Sequence, residues 1–94
     1  MVMAGVSTHA RVRMQQRGIG ESVLERLIEF GETRHDHRGA EILYFGKAAR
    51  RRLASRFGAA ALKSMERQMN AYAVIAGNGE VITVGHRSKR IPHF

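Results

Sequence analysis

The sequence predicts an α+β domain: an N-terminal helical hairpin, a mainly antiparallel sheet of about four strands, and a basic helix between two β-hairpins. Three observations lead there. Apolar residues recur at helical spacing on both sides of Gly18 and again after Lys47. β-prone runs flank the turn candidates "RGAE" and "GNGE". The order that results is α-α-β-β-α(α)-β-β. A length of 94 residues suits one domain with a single modest core, so 1–94 is read as one unit.

Ser7 or Thr8 can cap a first helix, because a hydroxyl there accepts from an amide of the first turn. "HARVRMQQR" then runs without a breaker to Gly18. "ESVLERLIEF" follows with Val23, Leu24, Leu27 and Ile28 on one stripe and Glu21, Glu25 and Glu29 opposite, and Gly31 stands where a helix closes. The first hairpin covers "ETRHDHRGAEILYFG", whose "ILYF" is a short aliphatic and aromatic run. "KAARRRLASRF" is helical, with Ala49, Leu53 and Phe57 at four-residue steps and Arg50, Arg51, Arg52 and Arg56 around the exposed circumference. After Gly58, "AAALKSMERQM" continues as helix with Leu62, Met65 and Met69 on one face. In "NAYAVIAGNGEVITVGHRS", Asn-Gly supplies the positive φ of a tight hairpin turn. Pro92 cannot extend a paired strand, so "SKRIPHF" reads as irregular.

Charge carries the strongest compositional signal. The net charge is +8: residues 1–46 hold six Lys/Arg and six Asp/Glu, while residues 47–94 hold ten and two. A surface this one-sided attracts polyanions, and nucleic acid is the commonest one inside a cell. Without cysteine there is no disulfide framework, thiolate metal cage or cysteine nucleophile. The N-terminus lacks the apolar run of a signal peptide, and no segment is long and apolar enough to span a membrane. A cytoplasmic location and no membrane partner are expected.

Four clusters can carry chemistry. His9, Arg13 and Arg17 step by four along the first helix and drift about 80° over two turns, at the margin of the buried stripe. There the histidine can exchange a proton and the guanidinium groups can hold phosphate oxygens. The same arginines can equally snorkel over the core as scaffold. In "VGHRSKR", alternation puts Ile82, Val84 and His86 on one strand face and Thr83 and Arg87 on the other, with Lys89 and Arg90 following. A histidine among cations suits phosphodiester cleavage, which needs a base, charge neutralisation and an acid. With RNA, the substrate's own 2′-hydroxyl is the nucleophile, so no metal is required. His35 and His37 form a His-x-His pair with no third ligand in view, so no metal site and no cofactor are expected. Arg50, Arg51, Arg52 and Arg56 suit the phosphate backbone, while Tyr44, Phe45 and Tyr72 can stack on bases or fill the core.

"HARVRMQQRGI", the helix ending "EFGE" and the final "GEVITVGHR" resemble a family of small bacterial domains of unknown function that open His-Ala-x-x-Arg-Met-x-x-Arg-Gly-Ile. That family is similar to BrnT and, more remotely, RelE-type toxins of barnase and colicin-like ribonuclease architecture. The resemblance implies a RelE/barnase-like fold and a metal-independent, toxin-like ribonuclease. It also implies RNA, including ribosome-associated RNA, and an acidic antitoxin as partners. Its site would comprise His9, Arg13, Arg17, His86 and Arg87. The long helical segment between the hairpins departs from the compact versions of that architecture. The alternative is a non-catalytic basic domain that binds nucleic acid or a partner protein.

Overall fold

The computed structural model describes residues 5–36 and 38–87, and these form an α+β fold with four α-helices and a five-stranded mixed sheet. Strand β1 (Gly5–Val6) leads into α1 (Thr8–Arg17) and α2 (Glu21–Phe30). The hairpin β2 (Glu32–His35) and β3 (Glu41–Tyr44) follows, then α3 (Lys47–Phe57), α4 (Ala59–Ser64) and a 3₁₀ turn, Glu66–Gln68. The second hairpin is β4 (Ala71–Ile75) and β5 (Glu80–His86). The sheet order is β1-β5-β4-β3-β2.

The expected four antiparallel strands are present, and β1 adds a fifth that pairs parallel to β5 through Gly5 with Glu80 and Val6 with Val81. Two residues are too short to show any periodicity, so only the pairing reveals them. Ser7 converts this strand into a helix. Its N–H donates to the Val81 carbonyl (2.9 Å) and its hydroxyl to that of Ile82 (3.3 Å), while the hydroxyl oxygen accepts from Ala10 N–H (3.0 Å).

The two N-terminal helices do not form a hairpin that packs chiefly on itself. α1 lies mainly against β5, and α2 against β4, β3 and α3. Their connection explains this. Gly18 takes the left-handed φ of 65°, its N–H meets the Gln15 carbonyl, and Ile19 N–H reaches back to Met14 (2.9 Å). This is a Schellman closure with Ile19 and Met14 as its apolar pair, and both are buried in the core. Gly31 ends α2 with an ordinary φ of −64°, so no left-handed cap occurs there. α3 and α4 are separate helices broken at Gly58, and the helical reading of residues 59–69 holds only to Ser64. The remaining turn brings Met69 into the core, which satisfies the same apolar spacing as a longer helix would.

Leu43, Ala73 and Val84 are register partners across β3, β4 and β5, and they are buried with Ala10, Met14, Leu24, Leu27, Ala49 and Leu53 of the helices. Each fully buried large side chain among these contributes about 1.5–3 kcal/mol. The register shifts between Val74 and Ile75, so that Ile75 pairs with Val81, and Val81 rather than Ile82 is fully buried. The neighbours on the opposite face, Arg34, Ile42, Tyr44, Tyr72, Val74 and Thr83, are all half-buried. Among the described residues, the helices therefore cover one face of the sheet and leave the other open.

Candidate nucleic-acid interface

At one end of the open face, Glu32, Tyr44, Tyr72 and Gly85 stand in register across four strands. Direct cross-strand neighbours have Cβ atoms about 5 Å apart, so the two tyrosines leave the open face at adjacent positions. Tyr72 lies over Gly85, where an added Cβ would meet the phenol oxygen at 2.9 Å and two ring carbons at 3.1 Å. Two guanidinium groups converge on Tyr44. Arg34 Nε donates to its hydroxyl (3.2 Å), and the Cζ atoms of Arg34 and Arg87 lie 5.9 and 5.8 Å from its ring centre. Arg87 Nη2 donates to the Phe45 carbonyl (3.1 Å), while its buried Nε has no partner.

The start of α3 closes this end. A Glu32 carboxylate oxygen accepts from Ala49 N–H (3.3 Å), which places a negative charge at the helix N-terminus. Gly46 is required for that approach, because a Cβ there would collide with the Glu32 carboxylate and the Tyr44 ring. The resulting patch brings two guanidinium groups, a carboxylate and two tyrosines to one end of the open face. Cations can neutralise phosphate, and aromatic faces can stack on bases.

His86 points to the helix-bearing side of the same strand end. Its Nε2 donates to the Arg17 carbonyl at the end of α1 (3.0 Å), since that oxygen can only accept. Its Nδ1 lies 2.8 Å from the Asn70 side-chain amide. In this arrangement neither ring nitrogen is open to a substrate. Asn70 also accepts from Arg87 N–H through its main-chain carbonyl (2.8 Å), so one residue holds both faces of the strand end.

The other residues singled out from the sequence are dispersed. His9 is exposed in the first turn of α1, about 12 Å along the axis from Arg17 at 1.5 Å per residue. Thus it is the Arg17 main chain, not His9, that meets His86. Arg13 is half-exposed, with Nη1 3.5 Å from Gln16 Oε1. Arg50, Arg51, Arg52 and Arg56 are exposed on α3. Two of these also brace the fold: Arg52 donates to the Phe30 carbonyl at the end of α2 (2.8 Å), and Arg56 lies 5.1 Å from the Phe57 ring. Lys89, Arg90 and His37 lie outside the described residues. His35 is exposed at the end of β2, and no group of three potential metal ligands occurs among the described residues. None of the helices described is long and apolar enough to cross a membrane.

Arg34 and Glu32 carried no sequence signal, and Tyr44 and Tyr72 were open to a core reading. What would have located them is strand alternation combined with register: Leu43 and Ala73 are paired and buried, so their neighbours Tyr44 and Tyr72 pair on the other face.

No curated protein and no solved structure matches the chain significantly. A family model described as "Domain of unknown function (DUF4258)" matches residues 6–86, which takes in every helix described, both hairpins and Glu32, Arg34, Tyr44 and Tyr72 but not Arg87, and the chain belongs to that family.

Proposed function

We propose that the chain is a basic RNA-binding domain that engages single-stranded RNA on the open face of its sheet. The observation that carries this reading is the convergence of Arg34 and Arg87 on Tyr44 beside Tyr72. Stacking on an aromatic is worth about 1–3 kcal/mol per base, and each phosphate contact adds a salt-dependent term. The exposed arginines of α3 extend the attraction without reading sequence. Fluorescence anisotropy with a labelled single-stranded RNA tests it. Binding that weakens steeply with salt and is lost on Tyr44→Ala supports the reading. Affinity indifferent to Tyr44, Tyr72, Arg34 and Arg87 removes it.

A second reading is a metal-independent, toxin-like ribonuclease with RelE/barnase-like architecture, held in check in the cytoplasm by an acidic antitoxin. The specific support is that a phenol hydroxyl and two guanidinium groups share the patch, a set able to move a proton and neutralise a phosphorane. In that reaction the 2′-oxygen bonds to phosphorus, the 5′-oxygen leaves with a proton, and a 2′,3′-cyclic phosphate remains. His9, Arg13, Arg17 and His86 act on this reading only if α1 and the end of β5 rearrange around RNA. Incubation with RNA in EDTA decides it: cyclic-phosphate ends that vanish with Arg87→Ala support cleavage, and intact RNA leaves binding alone.

A further inference from the structure

The two edges of the sheet differ. At β1 the edge is two residues long, Ser7 holds the Val81 and Ile82 carbonyls, and α1 packs along β5 beyond it. At β2 nothing among the described residues pairs with the outer side of the strand. Asp36 N–H donates to the Ala40 carbonyl (3.1 Å), in the register that sets Arg34 against Ile42 and Glu32 against Tyr44. Antiparallel pairs alternate between bonded and unbonded, so Glu32 and Arg34 bond to β3 while the N–H and C=O of Thr33 and His35 point outward. The Gly31 carbonyl follows the same phase, and its N–H is held by Leu27. Thr33 and His35 are exposed, and Glu32–His35 contains no proline, lysine or bulge to blunt the edge.

We infer that this edge pairs with the same edge of a second copy of the chain, antiparallel and two-fold about Thr33. Charge selects that register. Centred on Thr33, Glu32 of each copy stands opposite Arg34 of the other, and opposite charges at facing positions stabilise a strand pair. Centred on Arg34, the pairing would oppose two arginines and set Glu32 against Asp36, and centred on Glu32 it would oppose two acids. A register centred on His35 runs into the turn between β2 and β3. In the Thr33 register the two threonines exchange main-chain hydrogen bonds, and each His35 N–H reaches the Gly31 carbonyl of the other copy. The two sheets then join with their open faces on the same side. Both patches around Tyr44 lie on one surface, three strand spacings or about 15 Å apart. An edge this short buries less than the roughly 1,200 Å² of a stable dimer, and two chains of net charge +8 repel, so association is weak, reversible and favoured by salt. The inference goes beyond RNA recognition and stands whatever the open face binds.

Sedimentation equilibrium of the full chain tests it, from about 10 μM to 1 mM protein in about 0.5 M salt, where the repulsion is screened. The expected result is a reversible monomer–dimer equilibrium without larger species, because a two-fold contact closes on itself. Thr33→Pro removes an outward N–H and leaves the bonds to β3, so it should abolish the dimer while the circular dichroism spectrum stays unchanged. Arg34→Glu sets like charges opposite one another and should weaken association at least about tenfold. The chain has no cysteine, so single thiols report the register. The Thr33→Cys Cα atoms, about 5.5 Å apart in a bonded pair, are within disulfide reach, whereas those of His35→Cys, more than about 13 Å apart, are not. A chain that stays monomeric over this range, a dimer indifferent to Thr33→Pro or Arg34→Glu, or equal disulfide formation at the two positions would each overturn it.

Discussion

Asn70 and His86 are joined across the β4–β5 hairpin by a 2.8 Å contact between side-chain amide and imidazole, and the other ring nitrogen is bonded to the last turn of α1. The histidine that the sequence offers as a proton-transfer group is thereby a tie between helix and sheet. Both His86→Ala and Asn70→Ala should destabilise the fold by about 1–2 kcal/mol through lost hydrogen bonds. At this size that lowers Tm by roughly 4–8 °C per kcal/mol. Thermal denaturation measures it, and RNA affinity below the transition should be unchanged. An unaltered Tm with lost RNA cleavage would instead give His86 a direct chemical role.

The position of Tyr72 depends on the absence of a side chain at Gly85. Gly85→Ala should displace Tyr72, because the new methyl would press on its hydroxyl and ring edge. RNA affinity is expected to fall several-fold while the protein stays folded, and Tyr72→Ala should lose about 1–3 kcal/mol of binding. Anisotropy titrations of both variants check this.

Arg87 and the α3 arginines should differ in kind. Arg87→Ala removes a partly packed guanidinium that touches Tyr44 and the Phe45 carbonyl, so it should weaken RNA binding and also cost stability. Arg51→Ala removes an exposed charge and should mainly flatten the salt dependence, by about 0.7 in the slope of log K against log salt for a single strand. Titrations at several salt concentrations separate the two.

The turn between β2 and β3 should loosen in acid. The Asp36 carboxyl is held below its ordinary range first by the Arg38 amide and then by that of Ala40, which donate to it at 2.8 and 3.0 Å. A depressed carboxyl contributes its stabilisation above the unfolded-state pKa, near 3.9, and loses it as pH falls through the lower folded value. The protection factors of the Arg38 and Ala40 amides against hydrogen exchange should fall over that acid range, and Asp36→Ala should lower them in the same way at neutral pH.

Much of the fold was legible because its elements announce themselves locally. The caps at Ser7 and Gly18, the apolar stripes of α2 and α3 and the Gly79 turn with φ of 89° all follow from nearest neighbours. Non-local relations were not legible. Parallel pairing of Gly5–Val6 has no local signature, and neither does the bulge that buries Val81 in place of Ile82. The candidate site is split in the same way. Cationic character and the Arg87 position could be read from residue type and alternation, whereas Arg34 and Glu32 matter only because register sets them beside Tyr44 and the start of α3.

Ser7 also sets an order of events. The residue that starts α1 finds its sheet partners at Val81 and Ile82, 74 and 75 positions later. A ribosome adds residues at about 5–20 per second, so several seconds separate the appearance of the first helix from that of its dock. During that interval the apolar side of α1, with Ala10 and Met14, has no β5 to cover it. Closing so long a loop carries a high entropic cost, and α1 gains its dock only once β5 has been made.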